Sequence, residues 1–164
     1  MMAEREEVRI KINSELYEVE ASLFSEGEEV EEFFSKPDDV EIEPDIMEIN
    51  SLGEFRDDGE RISVSYEETE ATGMDGSKTS VTFLKKEPLV ITMTRDGIVS
   101  ATLVFEEGKR HHCIYKTPFM PFEVCVHTKK VINRMMEEGY IELDYIVEIR
   151  GAKAERTKFK MQLL

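Results

Sequence analysis

Cysteine is scarce, with Cys113 and Cys125 the two thiols in 164 residues. That excludes the disulfide-built scaffold of a small secreted domain and suits a reducing compartment. Long apolar runs are also lacking: no stretch approaches the roughly 18 residues of a membrane-spanning helix. The opening Met1-Met2-Ala3-Glu4-Arg5-Glu6-Glu7 has neither the basic region nor the apolar stretch of a signal peptide. The expected location is the cytoplasm, with no membrane partner. Positive charge is in deficit, 21 basic residues against 36 acidic ones and a net −15, which disfavours nucleic acid as a partner. Catalytic signatures are missing too: there is no Gly-rich phosphate loop, no helix-borne histidine pair, no nucleophile elbow and no Cys-x-x-Cys. No cofactor is expected, and any enzyme site would have to be dispersed along the chain.

What is present is a period of two, the mark of strands with one buried face. With 40% apolar residues the chain can core one domain. Val8, Ile10 and Ile12 alternate with polar residues, and Tyr17, Val19, Ala21 and Leu23 do so after Asn13-Ser14, which predicts an opening hairpin. Glu26 to Asp45 is acid-rich, interrupted by Pro37 and Pro44, with Val30, Phe33 and Phe34 spaced as one face of a short helix. From Met47 onward apolar alternation recurs through Phe55, Ile62 to Tyr66, Val81 and Phe83, Leu89 to Met93, Val99 to Phe105, Phe122 to Val126, Ile141 to Ile149 and Phe159 to Leu163. Turn residues separate these runs, and Asp96-Gly97 predicts a tight type I′ hairpin. The spacing predicts an all-β antiparallel meander of about eight strands, closed as a barrel or stacked as a sandwich. The expected division is an acidic N-terminal extension, 1–45, carrying the hairpin, and a barrel domain, 46–164. Residues 1 to 70 hold 24 of the 36 acids, so an acidic arm facing a basic partner is one reading of the charge and a solvated segment is the plainer one.

Several short motifs occur in order: Asp58-Gly59-Glu60 with Ile62-Ser63-Val64-Ser65-Tyr66-Glu67-Glu68, then Met93-Thr94-Arg95-Asp96-Gly97, Leu103-Val104-Phe105-Glu106-Glu107-Gly108-Lys109-Arg110, and Tyr115-Lys116-Thr117-Pro118. Together they resemble the YwiB-like family of bacterial proteins, a family of unknown function with a calycin-like, lipocalin-like β-barrel. The resemblance covers roughly Met47 to Leu164. It implies that the meander closes as a barrel, and it carries over no catalytic residue.

Every histidine and cysteine lies between His111 and His127. A hairpin centred on Phe119 would set Cys113 opposite Cys125 and His111 opposite His127, a zinc-type ligand set on one face. Phe122, Val124 and Val126 hold the other parity, so the plainer reading is an outer face with ordinary cysteines and surface histidines, and no metal is expected. A Cys113–Cys125 disulfide is disfavoured by the reducing setting. The same parity points Tyr66, Glu68, His112 and Tyr145 into the barrel, polar groups in an apolar lining of the kind that holds a small ligand; the plainer reading is a satisfied network or polar tips at the barrel mouth. Asp57-Asp58-Gly59-Glu60 lacks the ligand spacing of a calcium loop and reads as a turn. Arg150, Lys153, Arg156, Lys158 and Lys160 form a basic stretch that would suit phosphate or the acidic segment. The expected function is a non-catalytic cytosolic barrel holding a small apolar or amphipathic ligand. The alternatives are an interaction module whose acidic segment meets a basic protein partner, and an enzyme using Glu68, His112 and a tyrosine.

Overall fold

The period of two becomes ten antiparallel strands in the computed structural model, which describes residues 4–19, 44–68, 76–149 and 154–164. They are β1 (Glu4–Val19), β2 (Asp45–Asp57), β3 (Arg61–Glu67), β4 (Lys78–Leu84), β5 (Glu87–Asp96), β6 (Ala101–Glu106), β7 (Arg110–Lys116), β8 (Pro121–Arg134), β9 (Tyr140–Ile149) and β10 (Ala154–Leu163). A one-turn helix, α1 (Met135–Glu138), joins β8 to β9 and ends on Gly139. The strand order is β6-β5-β4-β3-β2-β1-β10-β9-β8-β7, so β1 joins two meanders. The edge strands β6 and β7 then approach each other: Ser100 and Lys116 exchange backbone hydrogen bonds of 2.9 and 2.8 Å, and Glu107 bridges Thr128. The result is a nearly closed barrel.

The opening hairpin is not formed. Asn13-Ser14 lacks the glycine that completes a tight type I′ or II′ turn, and Ile10, Ile12, Ser14 and Leu16 continue one inward row along an uninterrupted β1. Ser14 pairs with Met47 on one side and Phe159 on the other. The expected boundary at residue 45 therefore does not set β1 apart from the barrel, while the acidic segment, with Leu23, Val30, Phe33, Phe34 and Pro37, lies outside the described residues. The strand count is ten rather than about eight, because β1 and β7 are full members of the wall. Asp96-Gly97 is not a two-residue turn either: Arg95 pairs with Ala101, and Gly97 lacks the positive φ that type I′ requires. Glycine is needed there for another reason, since a Cβ on Gly97 would lie 2.8 Å from the Ser77 Cα. The tight two-residue connection is Lys85-Lys86, between the paired Leu84 and Glu87.

β8 changes parity along its length. Val124, Val126 and Thr128 pair with Ile149, Val147 and Tyr145, and beyond an irregularity at Lys129 the inward positions become Val131 and Met135. Such a bulge bends the strand and lets the wall curve. Glu107 supports it by accepting a hydrogen bond from the Val131 N–H at 3.2 Å.

Inward positions form a gradient along the barrel. One end is aliphatic and aromatic, with Ile10, Ile62, Ile91, Phe105, Ile141, Leu143 and Met161 fully buried. Toward the other end the same rows turn polar, through Tyr66 on β3, Arg95 on β5, Tyr145 on β9 and Thr157 on β10. On the side of the sheet facing away from the barrel interior, Arg156 is buried and held by Asp144 in a bidentate pair at 2.7 and 2.9 Å, Lys160 lies 3.6 Å from Glu142, and Lys158 sits over the Tyr17 ring. The basic stretch is thus engaged by its own sheet where it is described, and Arg150 and Lys153 lie outside the described residues.

Gly53 carries a close approach between strands. A Cβ there would meet the Ile10 side chain and the Ser65 carbonyl oxygen, and backbone cannot yield as a flexible side chain can. Gly53→Ala is expected to cost about 1–3 kcal/mol through overpacking, read as a lower urea midpoint with an unchanged slope.

Candidate functional site

The polar end of the barrel encloses a cavity of about 490 Å³. Its floor is apolar, with Ile12, Ile49, Leu103 and Phe159. One wall follows from register: Tyr66 pairs with Thr79 and Thr79 with Arg95, so three inward side chains stand in a row across β3, β4 and β5. Glu68 follows Tyr66 by two residues and keeps its parity just past the end of β3, where its N–H donates to the Ser77 carbonyl at 2.7 Å. The facing wall comes from Tyr145 paired with Thr157, with Tyr115 on β7. Tyr145 lies against Phe105, the ring centroids 4.5 Å apart, which anchors the phenol between core and cavity. Glu155 lines the rim and is exposed.

The polar atoms here are incompletely satisfied. The Thr79 hydroxyl donates to Glu68 Oε1 at 2.6 Å, while Glu68 Oε2 is buried without a hydrogen-bond partner, on a residue only 4% exposed. Arg95 donates through one terminal nitrogen to the Tyr115 hydroxyl at 3.4 Å, and its buried Nε has no partner. Burial raises Tyr66, Tyr115 and Tyr145 above the ordinary phenol range, Tyr145 to about 12. The Glu68 carboxylate adds to the rise at Tyr66, whereas the Arg95 guanidinium opposes it at all three. Burial works against the Arg95 charge, but Tyr115, Tyr145, Tyr66 and Glu68 together hold its pKa above the usual value. The site therefore presents one cation, the Glu68 carboxylate with an unpartnered oxygen, a second carboxylate at the rim from Glu155, and three neutral phenols on an apolar bed.

Tyr66, Glu68 and Tyr145 line this cavity as parity anticipated. His112 does not: it is exposed, its Nδ1 3.2 Å from Glu123, and it faces away from the cavity. The cause is the β7–β8 register. A four-residue loop closes when the Thr117 hydroxyl donates to the Met120 carbonyl at 2.7 Å, and the connection centres between Pro118 and Phe119. That one-residue slip from the expected pairing reverses every side chain on β7 relative to its partner. His112 then pairs with Cys125 and Cys113 with Val124, and Tyr115 turns inward in place of His112. His111, Cys113, Cys125 and His127 are accordingly not brought together on one face; His111 contacts Glu106 at 3.2 Å, and Cys113 and Cys125 form no disulfide and lie on opposite faces. Among the described residues no group of three or more His, Cys, Asp or Glu is arranged to hold a metal ion. Burial pushes the Cys113 thiol up to about 11, so it stays protonated at neutral pH. Arg95 was legible in principle, since it shares the parity of Ile91 and Met93, but a charged residue beside a turn reads as a strand end.

These features define a nearly closed antiparallel barrel with an internal cavity that turns polar toward one end. The chain belongs to the family described as Domain of unknown function (DUF1934), whose profile matches residues 35–161. Its structure is similar to the crystal structure of the ywiB protein from Bacillus subtilis, with a TM-score of 0.62 at 14% identity over 96% of this chain and 93% of that one. At that identity the likeness is one of fold. No curated protein matches the chain, and among the described residues no helix is long and apolar enough to cross a membrane.

The raised phenol predicts a pH dependence. Tyr145 binds its proton more tightly folded than unfolded, so its contribution is fully present below pH 10 and is lost as pH rises from 10 toward 12. The loss is on the order of 2 kcal/mol. Urea titrations between pH 9 and 12 should show falling stability, with a shallower fall in Tyr145→Phe.

Proposed function

We propose that this protein binds a small amphipathic molecule inside the barrel and does not transform it. The observation that carries the reading is the pair of buried polar atoms, Glu68 Oε2 and Arg95 Nε, left without hydrogen-bond partners in a cavity whose floor is apolar. Buried polar atoms without partners cost about 1–3 kcal/mol each, and here that cost falls on two charged residues that line the cavity. The volume falls within the ~300–1,000 Å³ of small-molecule pockets. A binding role is favoured over catalysis because the phenols and the Cys113 thiol are held protonated by burial, which makes them poor bases and nucleophiles at neutral pH. A carrier or sensor in the cytosol, in the manner of lipocalin-like barrels, fits this chemistry; the fold analogy is the weaker support.

N-phenyl-1-naphthylamine, a neutral dye that brightens in apolar surroundings, tests the reading on the full chain. The expected result is saturable one-to-one binding that Ser14→Phe weakens by about tenfold, equivalent to 1.4 kcal/mol, by filling the cavity from β1. Dye binding that is absent, or unchanged in Ser14→Phe while that variant melts as the parent does, would overturn it.

A further inference from the structure

Resting on that reading, we infer that the cavity takes a small zwitterion, a molecule bearing a carboxylate and a primary amine on an apolar body. The class follows from how the two ends of the site are equipped. Arg95 reaches the cavity from β5 with a buried Nε free of any partner, and its nearest hydrogen-bonding neighbour is the neutral Tyr115 hydroxyl rather than a carboxylate. A buried guanidinium in that state recognises an anion, and its planar fork fits a carboxylate. The Tyr115 O–H adds a donor to the same spot.

The other end has the opposite demand. Glu68 accepts from Thr79 through one oxygen and acts on the Tyr66 phenol beside it, while its second oxygen is buried without a hydrogen-bond partner. Glu68 and Arg95 line the same cavity without forming an ion pair with each other. Arg95 stands two strands from Tyr66, with strands about 4.8 Å apart, so Glu68 and Arg95 act on each other across the lining rather than as a contact pair. Glu68 favours the charged form of Arg95 across the cavity, yet each group keeps hydrogen-bonding capacity of its own. The balance at the lining settles the sign of the second group, because Glu68 and the rim residue Glu155 face one guanidinium, leaving a surplus of negative charge that an ammonium offsets and a second anion would worsen. The same cavity is lined by Leu103, Ile49 and the phenol rings, which suit an alkyl or aryl body.

Calorimetric titration of the full chain with three matched probes separates the possibilities. Phenylalanine carries both groups, phenethylamine lacks the carboxylate and 3-phenylpropanoate lacks the amine. The expected outcome is that phenylalanine binds at least about tenfold more tightly than either. Glu68→Gln should erase its advantage over 3-phenylpropanoate, and Arg95→Met its advantage over phenethylamine. Should Arg95→Met fail to fold, Arg95→Lys keeps the charge, loses the Nε donor and should weaken phenylalanine and 3-phenylpropanoate alike. Three probes binding within twofold of one another would overturn the zwitterion. So would phenylalanine failing to bind where N-phenyl-1-naphthylamine does, which leaves the small-molecule reading standing. Failure of the dye and all three probes removes both.

Discussion

The whole barrel depends on β1 being hydrogen-bonded along both of its edges. The five strands β2 to β6 and the four strands β7 to β10 are each a simple meander, and β1 is what makes one sheet of them. Since both neighbours fix its register, its inward row is fixed too, and that row sets the length of the interior. Ile10 and Ile12 extend the aliphatic core. Ser14 interrupts it, and the cavity lies where that small side chain replaces a large one. The diameter of a barrel grows with strand number, and eight strands leave space that side chains alone can fill. Ten strands enclose more, and part of that volume stays unfilled at the polar end.

Alternation reveals strands and their buried faces because it follows from backbone geometry alone. It placed Tyr66, Glu68 and Tyr145 correctly, since each extends an unbroken apolar row: Ile62-Val64-Tyr66 on β3 and Ile141-Leu143-Tyr145 on β9. It failed where the row itself is not aliphatic. On β7 the inward residues are His111, Cys113 and Tyr115, and nothing in that series tells one face from the other. Orientation there is decided by the Thr117 hydroxyl closing a four-residue loop, a local hydrogen bond that spacing does not encode. One such bond moved His112 to the surface and Tyr115 into the cavity. Asn13-Ser14 misled for the converse reason: a polar pair inside an alternating run looks like a turn, but the serine was facing the cavity.

Charge buried at the polar end is costly to keep. Replacing an unpaired buried ion by an apolar residue of similar volume is commonly neutral or stabilising, and aliphatic residues fill the same rows a few positions away at Ile91 and Met93 on β5. The fold could therefore extend its core through Arg95 without altering a strand. That the barrel instead carries a guanidinium and a carboxylate at that depth separates the cavity from the packing that holds the wall together.

The position of Arg95 also ties the cavity to closure. The ladder is lost between β6 and β7: among the described residues one bridge, Ser100–Lys116, spans that seam, and a second, Glu107–Thr128, ties the end of β6 to β8. Arg95 pairs with Ala101 at the start of β6, while Tyr115 adjoins Lys116 on β7, so their 3.4 Å contact crosses the seam from inside beside one of the two bridges. The one guanidinium of the cavity lining is thus also a side-chain link across the weakest part of the wall. An anion that draws the guanidinium away from Tyr115 would loosen this link, and one that accepts from both would tighten it. Arg95 and Tyr115 are therefore shared between the lining of the cavity and the closure of the wall.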